Sequence, residues 1–146
     1  MSLKSIALSD MQKYCSLSEK CKYDIVKKLS KYQLESDEKE AIIADLCLEG
    51  YIDHNRFANA FVHDKFKFNK WGKLKLKYEL QIQKIESVII QEALNTITIS
   101  EYEQMIRQIL EKKIKTGVHD KEKLIKFMQS KGFELTETFK ILNQLI

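Results

Sequence analysis

The sequence contains no proline and only four glycines in 146 residues. Proline interrupts helices and glycine weakens them, so their scarcity leaves long stretches in which nothing stops a helix. Leu, Ile, Lys, Glu and Gln, which favour or tolerate helices, are abundant instead. The composition therefore predicts an all-α protein.

Cysteine is scarce as well: Cys15, Cys21 and Cys47 make an odd number and include no Cys-x-x-Cys pair. This set is typical of reduced thiols rather than a disulfide framework, and adding His54 gives spacings that fit no compact zinc site. No apolar run approaches the roughly 20 residues that span a bilayer, and residues 1–15 lack the features of a signal peptide. We therefore expect a soluble, intracellular protein without a metal or cofactor.

Motifs for catalysis are also missing. We find no phosphate-cradling glycine loop, nucleophile elbow or pair of catalytic carboxylates. Asp53 and Arg56 lie three residues apart at a predicted helix start, which fits a helix cap with a local ion pair better than an active site. His63 and His119 are expected at the surface. The sequence predicts a protein that is not an enzyme.

Apolar residues recur at three- and four-residue spacing in nine segments, which predicts nine helices. The second is expected over 18–31, and the third is expected to end at Gly50. The fifth carries Leu74, Leu76, Leu80 and Ile82. Helix starts are expected at these capping residues: Ser18 (second), Asp53 (fourth), Ser100 with Glu103 (seventh), Asp120 (eighth) and Thr136 (ninth).

The chain also repeats itself at an offset of 48. Apolar residues then pair with apolar residues, including Phe57 with Met105, Leu76 with Leu124, Leu80 with Met128, Ile85 with Phe133 and Leu94 with Leu142. The first third joins the pattern at an offset of 51 that falls to 48. These periods predict three tandem three-helix repeats, 1–52, 53–98 and 99–146, stacked in an elongated, curved array that suits a long partner.

Positive charge is concentrated in one stretch of the chain. The net charge is +4, yet residues 65–84 hold seven lysines and a single acid, Glu79. A local patch of this kind suits an anionic partner, although exposed lysines are also ordinary on helices. The candidate contact residues are Lys65, Lys67, Lys70, Lys73, Lys75 and Lys77. Trp71 beside them is expected to pack a helix corner rather than to stack on bases.

Residues 50–94 resemble the central signature of RecX-type regulators of the RecA recombinase. The resemblance is carried by Gly50, Tyr51, Asp53, Arg56, Phe57, Ala58, Phe61, Trp71, Gly72, Leu80 and Ile85, followed by Ala93 and Leu94. Two features depart from the family pattern: His54 stands where a second acid is common, and the basic positions are Lys where Arg is frequent. Lysine keeps the charge but loses bidentate geometry, so the affinity for the partner is expected to differ.

The resemblance implies a small, non-enzymatic modulator of the bacterial cytoplasm that docks along the groove of the RecA–DNA filament and restrains its recombinase, ATPase and coprotease activities, in DNA repair and the SOS response. We expect it to be a monomer. Two alternatives stay open. A DNA-binding module would place the helix around residues 73–81 in a groove as a recognition helix. A helical adaptor for an unrelated protein would need only the repeat architecture.

Overall fold

The computed structural model describes all 146 residues and contains nine α-helices and no strand, which confirms the all-α class and the number of helices. In chain order the helices are α1 (Leu3–Leu17), α2 (Lys22–Leu29), α3 (Ser36–Leu48), α4 (His54–Lys67), α5 (Lys73–Ile82), α6 (Ser87–Leu94), α7 (Ile99–Lys115), α8 (Lys121–Ser130) and α9 (Leu135–Leu145). None of them is long and apolar enough to cross a membrane.

The helices pack in three consecutive groups of three. The third helix of each group, α3, α6 or α9, contacts the two helices before it. We refer to α1–α3, α4–α6 and α7–α9 as units 1, 2 and 3. The starts of α8 and α9 follow those of α5 and α6 at an offset of 48, and the starts of α5 and α6 follow those of α2 and α3 at an offset of 51. The offset of 48 between units 2 and 3 agrees with the sequence pattern, whereas the expected fall from 51 to 48 between units 1 and 2 is wrong, because the third helices also start 51 residues apart.

The buried side chains form two clusters of unequal size. The larger has 21 buried residues and runs without a break through units 2 and 3, and it also takes in Cys21 from unit 1. The smaller has seven buried residues, six from unit 1 together with Ile52. Units 2 and 3 therefore share one hydrophobic core, and unit 1 is stabilised mainly by its own.

Local chemistry explains which helix starts were predictable. The expected caps Asp53 and Asp120 are confirmed: their carboxylates accept hydrogen bonds from the backbone N–H of Arg56 at 3.1 Å and of Glu122 at 2.9 Å. The expected start of α2 at Ser18 is wrong. Ser18 has extended backbone angles, and α2 begins after Cys21, whose N–H donates to Asp24 Oδ2 at 3.1 Å.

The predicted starts of α7 and α9 are also wrong, each by two residues. Thr98, not Ser100, caps α7, because its hydroxyl accepts from the N–H of Glu101 at 3.1 Å. Helix α9 follows Glu134 rather than Thr136. The third helix ends at Leu48, and Gly50 follows with a left-handed φ of +79°.

Candidate functional site

Units 2 and 3 meet where the end of α8 abuts the start of α5. The first N–H groups of a helix have no partner within it. At α5 they find partners in unit 3: Gly72 N–H donates to the Lys131 carbonyl at 2.7 Å, and Leu74 N–H donates to the Gly132 carbonyl at 3.0 Å. Backbone atoms at the start of α5 and just after the end of α8 therefore make this joint.

Two glycines allow this close approach. A Cβ on Gly72 would lie 2.4 Å from the backbone of Gly132 and Phe133, and one on Gly132 would lie 2.3 Å from Lys75 Cβ. Gly132 also has a φ of +91°, which a side chain disfavours. Gly72 has an ordinary φ of −77°, so the space alone requires a glycine there.

Aromatic side chains fill the joint beneath the backbone contact. The Tyr102 ring lies 6.0 Å from Phe66 and 5.4 Å from Phe133 between centroids. Its hydroxyl accepts the Lys73 N–H at 3.0 Å and donates to the Glu134 carboxylate. Burial, and then the bond to Glu134, raise the pKa of Tyr102. The phenol is thus a neutral hydrogen-bonding bridge between α5 and α9.

Lysines converge above this joint. Four of them line a cavity of about 300 Å³ together with Ile109, Thr116 and Phe127. Besides burial, the positive charge of a fifth lysine, Lys75, lowers the pKa of Lys131, as do the charges of Lys70 and Lys113. We refer to these five as the lysine cluster: Lys70 and Lys75 from unit 2, and Lys112, Lys113 and Lys131 from unit 3.

The lysine cluster has no acidic partner. The ion pairs in the structure join Arg56 to Glu19 and Lys140 to Glu103, and two histidine–carboxylate contacts join His54 to Glu86 and His63 to Asp64. None of the four includes a cluster lysine. The pKa of Lys131 is lowered, first by burial and then by the positive charges of Lys70, Lys75 and Lys113. The cluster is therefore a site of unbalanced positive charge that suits an anion.

Aromatic rings hold several of these ammonium groups in place. The Nζ atoms of Lys75 and Lys65 lie 4.6 Å and 5.3 Å from the centroid of Trp71. The Nζ of Lys113 lies 4.1 Å from the centroid of Phe127. These are cation–π distances. Trp71 is half-buried, packs against the larger core and has these two lysines over its ring.

The structure brings together only part of the predicted contact set. Lys65, Lys70 and Lys75 lie near Trp71 or in the lysine cluster. Lys73 lies over the Tyr102 ring at 5.0 Å. Lys67 is exposed near Phe68, 5.9 Å from its ring centroid, and Lys77 is exposed on α5.

Sequence reasoning missed the three lysines that unit 3 contributes, Lys112, Lys113 and Lys131. The repeat offset pairs Lys65 with Lys113. Both stand in the last turn of the first helix of their unit. The repeat therefore contained a signal for Lys113. The repeat contained no signal for Lys131, which lies beside the other lysines because its carbonyl accepts the Gly72 N–H at the joint.

Most signature residues outside this joint lie in or against the larger hydrophobic core. Phe57, Ala58, Leu80 and Ile85 are buried in the larger core, against which Phe61 is packed. The expected local ion pair between Asp53 and Arg56 is wrong, because Asp53 caps α4 and Arg56 Nε pairs with Glu19 at 2.6 Å. The same guanidinium also donates to the carbonyls of Gly50 at 2.9 Å and Tyr51 at 3.4 Å.

Side chains rather than backbone make the joint between units 1 and 2. His54 Nε2 accepts the Lys22 N–H at 3.1 Å, and its Nδ1 lies 2.8 Å from Glu86 Oε1. This network places the imidazole proton on Nδ1. Cys21 lies beside it, with its sulfur 3.7 Å from the Gln83 carbonyl. No group of three or more metal-binding side chains occurs in the structure.

Residues that contribute to both joints lie within a segment that matches a known protein family. Residues 53–94 match the family model described as RecX, second three-helix domain. The resemblance to RecX proteins is confirmed. The matched segment includes the capping residue Asp53 and the joint residues Trp71 and Gly72, and it coincides with the stretch whose signature was recognised in the sequence.

Similarity to RecX proteins extends beyond that segment. The chain is 28% identical over 144 residues to regulatory protein RecX of Clostridium tetani, covering 94% of this chain and 66% of that protein. It is 34% identical over 94 residues to the protein of Caldanaerobacter subterraneus, covering 64% of this chain and 47% of the relative. The match to the protein of Herbaspirillum seropedicae is 29% identical and covers 91% and 84%.

A solved structure shares the RecX-like fold. The crystal structure of RecX from Lactobacillus salivarius superposes with a TM-score of 0.89 at 20% identity, covering 98% of this chain and 96% of that one. At this identity the likeness establishes the fold alone. The RecX-like chain thus spans most of that structure and about half to two thirds of the first two relatives.

Proposed function

We propose that this RecX-like chain is a non-enzymatic regulator that binds the RecA recombinase on DNA and restrains its recombinase, ATPase and coprotease activities. It would act in DNA repair and the SOS response in a bacterial cytoplasm. The observation that carries the proposal is the RecX family match over residues 53–94. The similarity to proteins named as RecX regulators along most of the chain supports it.

The lysine cluster supplies a physical basis for contact with the DNA of such a filament. Phosphates lie close together along a nucleic acid, and lysines without acidic partners can neutralise them and release counterions. The cluster spans the joint between units 2 and 3, with Lys65 beside it on Trp71. We propose that Lys65, Lys70 and Lys75 of the predicted set contact phosphates, together with Lys113 and Lys131.

The remaining predicted lysines have different surroundings. Lys73 lies against Tyr102 inside the joint, so its role in the proposal is to position α5. Lys67 and Lys77 are exposed and remain candidate contacts with the partner. The signature residues Gly72, Phe57 and Leu80 support the arrangement of the helices and do not contact the partner in this proposal.

The first test measures DNA-dependent ATP hydrolysis and strand exchange by the cognate RecA as the chain is added. The proposal expects both rates to fall as the chain approaches stoichiometric amounts. The double variant Lys70→Gln, Lys131→Gln should inhibit less at moderate salt, whereas Lys126→Gln, an exposed lysine outside the cluster, should inhibit as the wild type does. Unchanged rates at excess wild-type chain would refute the proposal.

A second candidate function is direct binding to DNA without the recombinase. The unbalanced charge of the lysine cluster favours it, because phosphate contacts need no other partner. The start of α5 is docked on unit 3, however, and the residues after it that face solvent include Leu74 and Tyr78. Binding to naked DNA should therefore be salt-dependent and without sequence preference, unlike that of a recognition helix.

We also propose that the chain functions as a monomer made of three repeats, 1–52, 53–98 and 99–146. The packing of helices in consecutive threes supports these boundaries. A fragment covering residues 53–146 should retain the larger core and fold. Sedimentation of the whole chain and thermal unfolding of the fragment test the two statements.

A further inference from the structure

Helix α5 carries apolar side chains on two opposite sides. Leu76 and Leu80 are fully buried in the core of unit 2. Leu74, Tyr78 and Ile82 lie four residues apart on the other side, with 56%, 60% and 45% of their surface exposed. We refer to these three residues as the α5 stripe. It extends over about 12 Å along the helix.

The fold does not require an apolar stripe at this place. The equivalent helix of unit 3, α8, begins at Lys121 and carries Glu122, Lys126 and Ser130 at the matching positions of the repeat. All three are exposed and polar. Single exposed apolar residues are normal, whereas three in one row on a helix form a candidate contact surface. The stripe thus has no counterpart in unit 3.

Basic residues border the α5 stripe on both sides. A helix turns by about 100° per residue, which places Lys75 beyond the Ile82 edge of the stripe and Lys77 beyond its Leu74 edge. Neither forms an ion pair. Lys75 also belongs to the lysine cluster, so the stripe is continuous with the proposed phosphate contacts. A complementary partner has apolar side chains in a row with acidic residues beside them.

We propose that the α5 stripe docks an amphipathic helix with acidic flanks, presented by a partner protein. The apolar row of that helix covers the α5 stripe, and its carboxylates meet Lys75 and Lys77. A second copy of this chain fits poorly, because pairing two stripes brings lysines of one copy against lysines of the other in either helix orientation. The inference rests on the proposed function, which makes the recombinase the protein to test.

The experiment transfers the residues of α8 onto α5. The triple variant Leu74→Glu, Tyr78→Lys, Ile82→Ser keeps the net charge and uses residues that the same position tolerates in unit 3. Its affinity for DNA-free cognate RecA should fall about tenfold or more, as expected for loss of a central apolar contact. Its affinity for naked single-stranded DNA should stay within about twofold.

Two control variants make the result specific. Val88→Gln removes an exposed apolar residue of α6, 67% exposed, and should bind RecA as the wild type does. The double variant Lys70→Gln, Lys131→Gln should lose DNA binding and keep most of its binding to DNA-free RecA. If thermal unfolding shows that the triple variant is misfolded, Tyr78→Lys alone replaces it, with a smaller loss of the same kind expected.

The possible results separate the inference from the function on which it rests. If the triple variant binds RecA as tightly as the wild type, the α5 stripe is not the docking surface, and the proposed function stands. If the wild type binds RecA neither alone nor on DNA, both fail. The inference is also overturned if the substitutions abolish self-association in sedimentation, or binding to phosphatidylserine vesicles, while RecA binding is unchanged.

Discussion

Gly72 and Gly132 lie backbone against backbone, and neither has room for a Cβ atom. They stand at the start of α5 and just after the end of α8, two helices that hold equivalent places in units 2 and 3. Hydrogen bonds from Gly72 and Leu74 to the carbonyls of Lys131 and Gly132 fix the register of this contact. The arrangement of the lysine cluster depends on it, because Lys131 belongs to the turn that α5 abuts.

The substitution Gly132→Ala should destabilise the protein by about 2–4 kcal/mol, combining a backbone clash with the strain of a left-handed alanine. Denaturant unfolding measures this. Gly117→Ala is the matched control, because Gly117 also has a positive φ, +102°, but a Cβ there would meet nothing within 4 Å. It should cost only the strain, about 1–2 kcal/mol. Equal losses would show that the close approach contributes nothing.

Removing the Tyr102 hydroxyl should also weaken the joint. Tyr102→Phe leaves the Lys73 N–H and the Glu134 carboxylate without their partner. We expect a loss of about 1–2 kcal/mol in the free energy of unfolding. Tyr51→Phe removes a hydroxyl that makes no hydrogen bond within the protein and should have little effect. If Tyr102→Phe leaves the free energy of unfolding unchanged, water replaces the hydrogen bonds of the phenol.

Neutralising Lys131 should stabilise the free protein. Burial and repulsion from Lys70, Lys75 and Lys113 lower its pKa, so folding disfavours the charged form. Lys131→Gln should therefore raise the melting temperature at low ionic strength, and the gain should shrink as salt screens the charges. It should shrink also at alkaline pH, as the wild-type amine loses its proton. The control Lys126→Gln should produce a smaller change, and a lower melting temperature for Lys131→Gln would contradict the assignment.

The thiol of Cys21 should react slowly. Burial raises its pKa to about 11, so at pH 8 it stays protonated while the joint between units 1 and 2 is closed. Iodoacetamide followed by mass spectrometry should modify the half-buried Cys47 first. Similar rates for the two thiols would show that the joint is open in solution.

The same thiol contributes to the pH dependence of stability. The raised pKa means that stability from this group is complete below the pKa of the unfolded thiol, about 8.5, and is lost as pH rises towards 11. Wild-type stability should therefore fall across this interval. Cys21→Ala should show a shallower fall over the same range in chemical denaturation, whatever its stability at neutral pH.

Local features were predictable from the sequence because the residues that decide them are close together. Asp53 and Asp120 were identified as caps because each bonds to an N–H two or three residues away. The cap of α7 was misassigned because the same pattern occurs twice: Thr98 and Ser100 are each followed three residues later by a glutamate. In the structure the earlier pair forms the cap, because the Thr98 hydroxyl accepts from the Glu101 N–H and donates to the Glu101 carboxylate.

The sequence was less informative about faces and distant contacts. Periodicity assigned Leu74, Leu76, Leu80 and Ile82 to one helix, yet two of them face the core and two face solvent. Both sides of α5 are apolar, so the pattern itself does not distinguish them. Lys131 was missed for a related reason, because a contact between residues far apart in the chain leaves no periodic trace in one sequence.

The two joints of the molecule also differ in how they can evolve. The second uses main-chain atoms and two glycines, so most surrounding residues can change without altering its geometry. The first depends on the side chains of Glu19, His54, Arg56 and Glu86, so that substitutions there change its contacts directly. A new orientation of unit 1 therefore requires only new side chains, whereas a new orientation of units 2 and 3 requires main-chain hydrogen bonds to break.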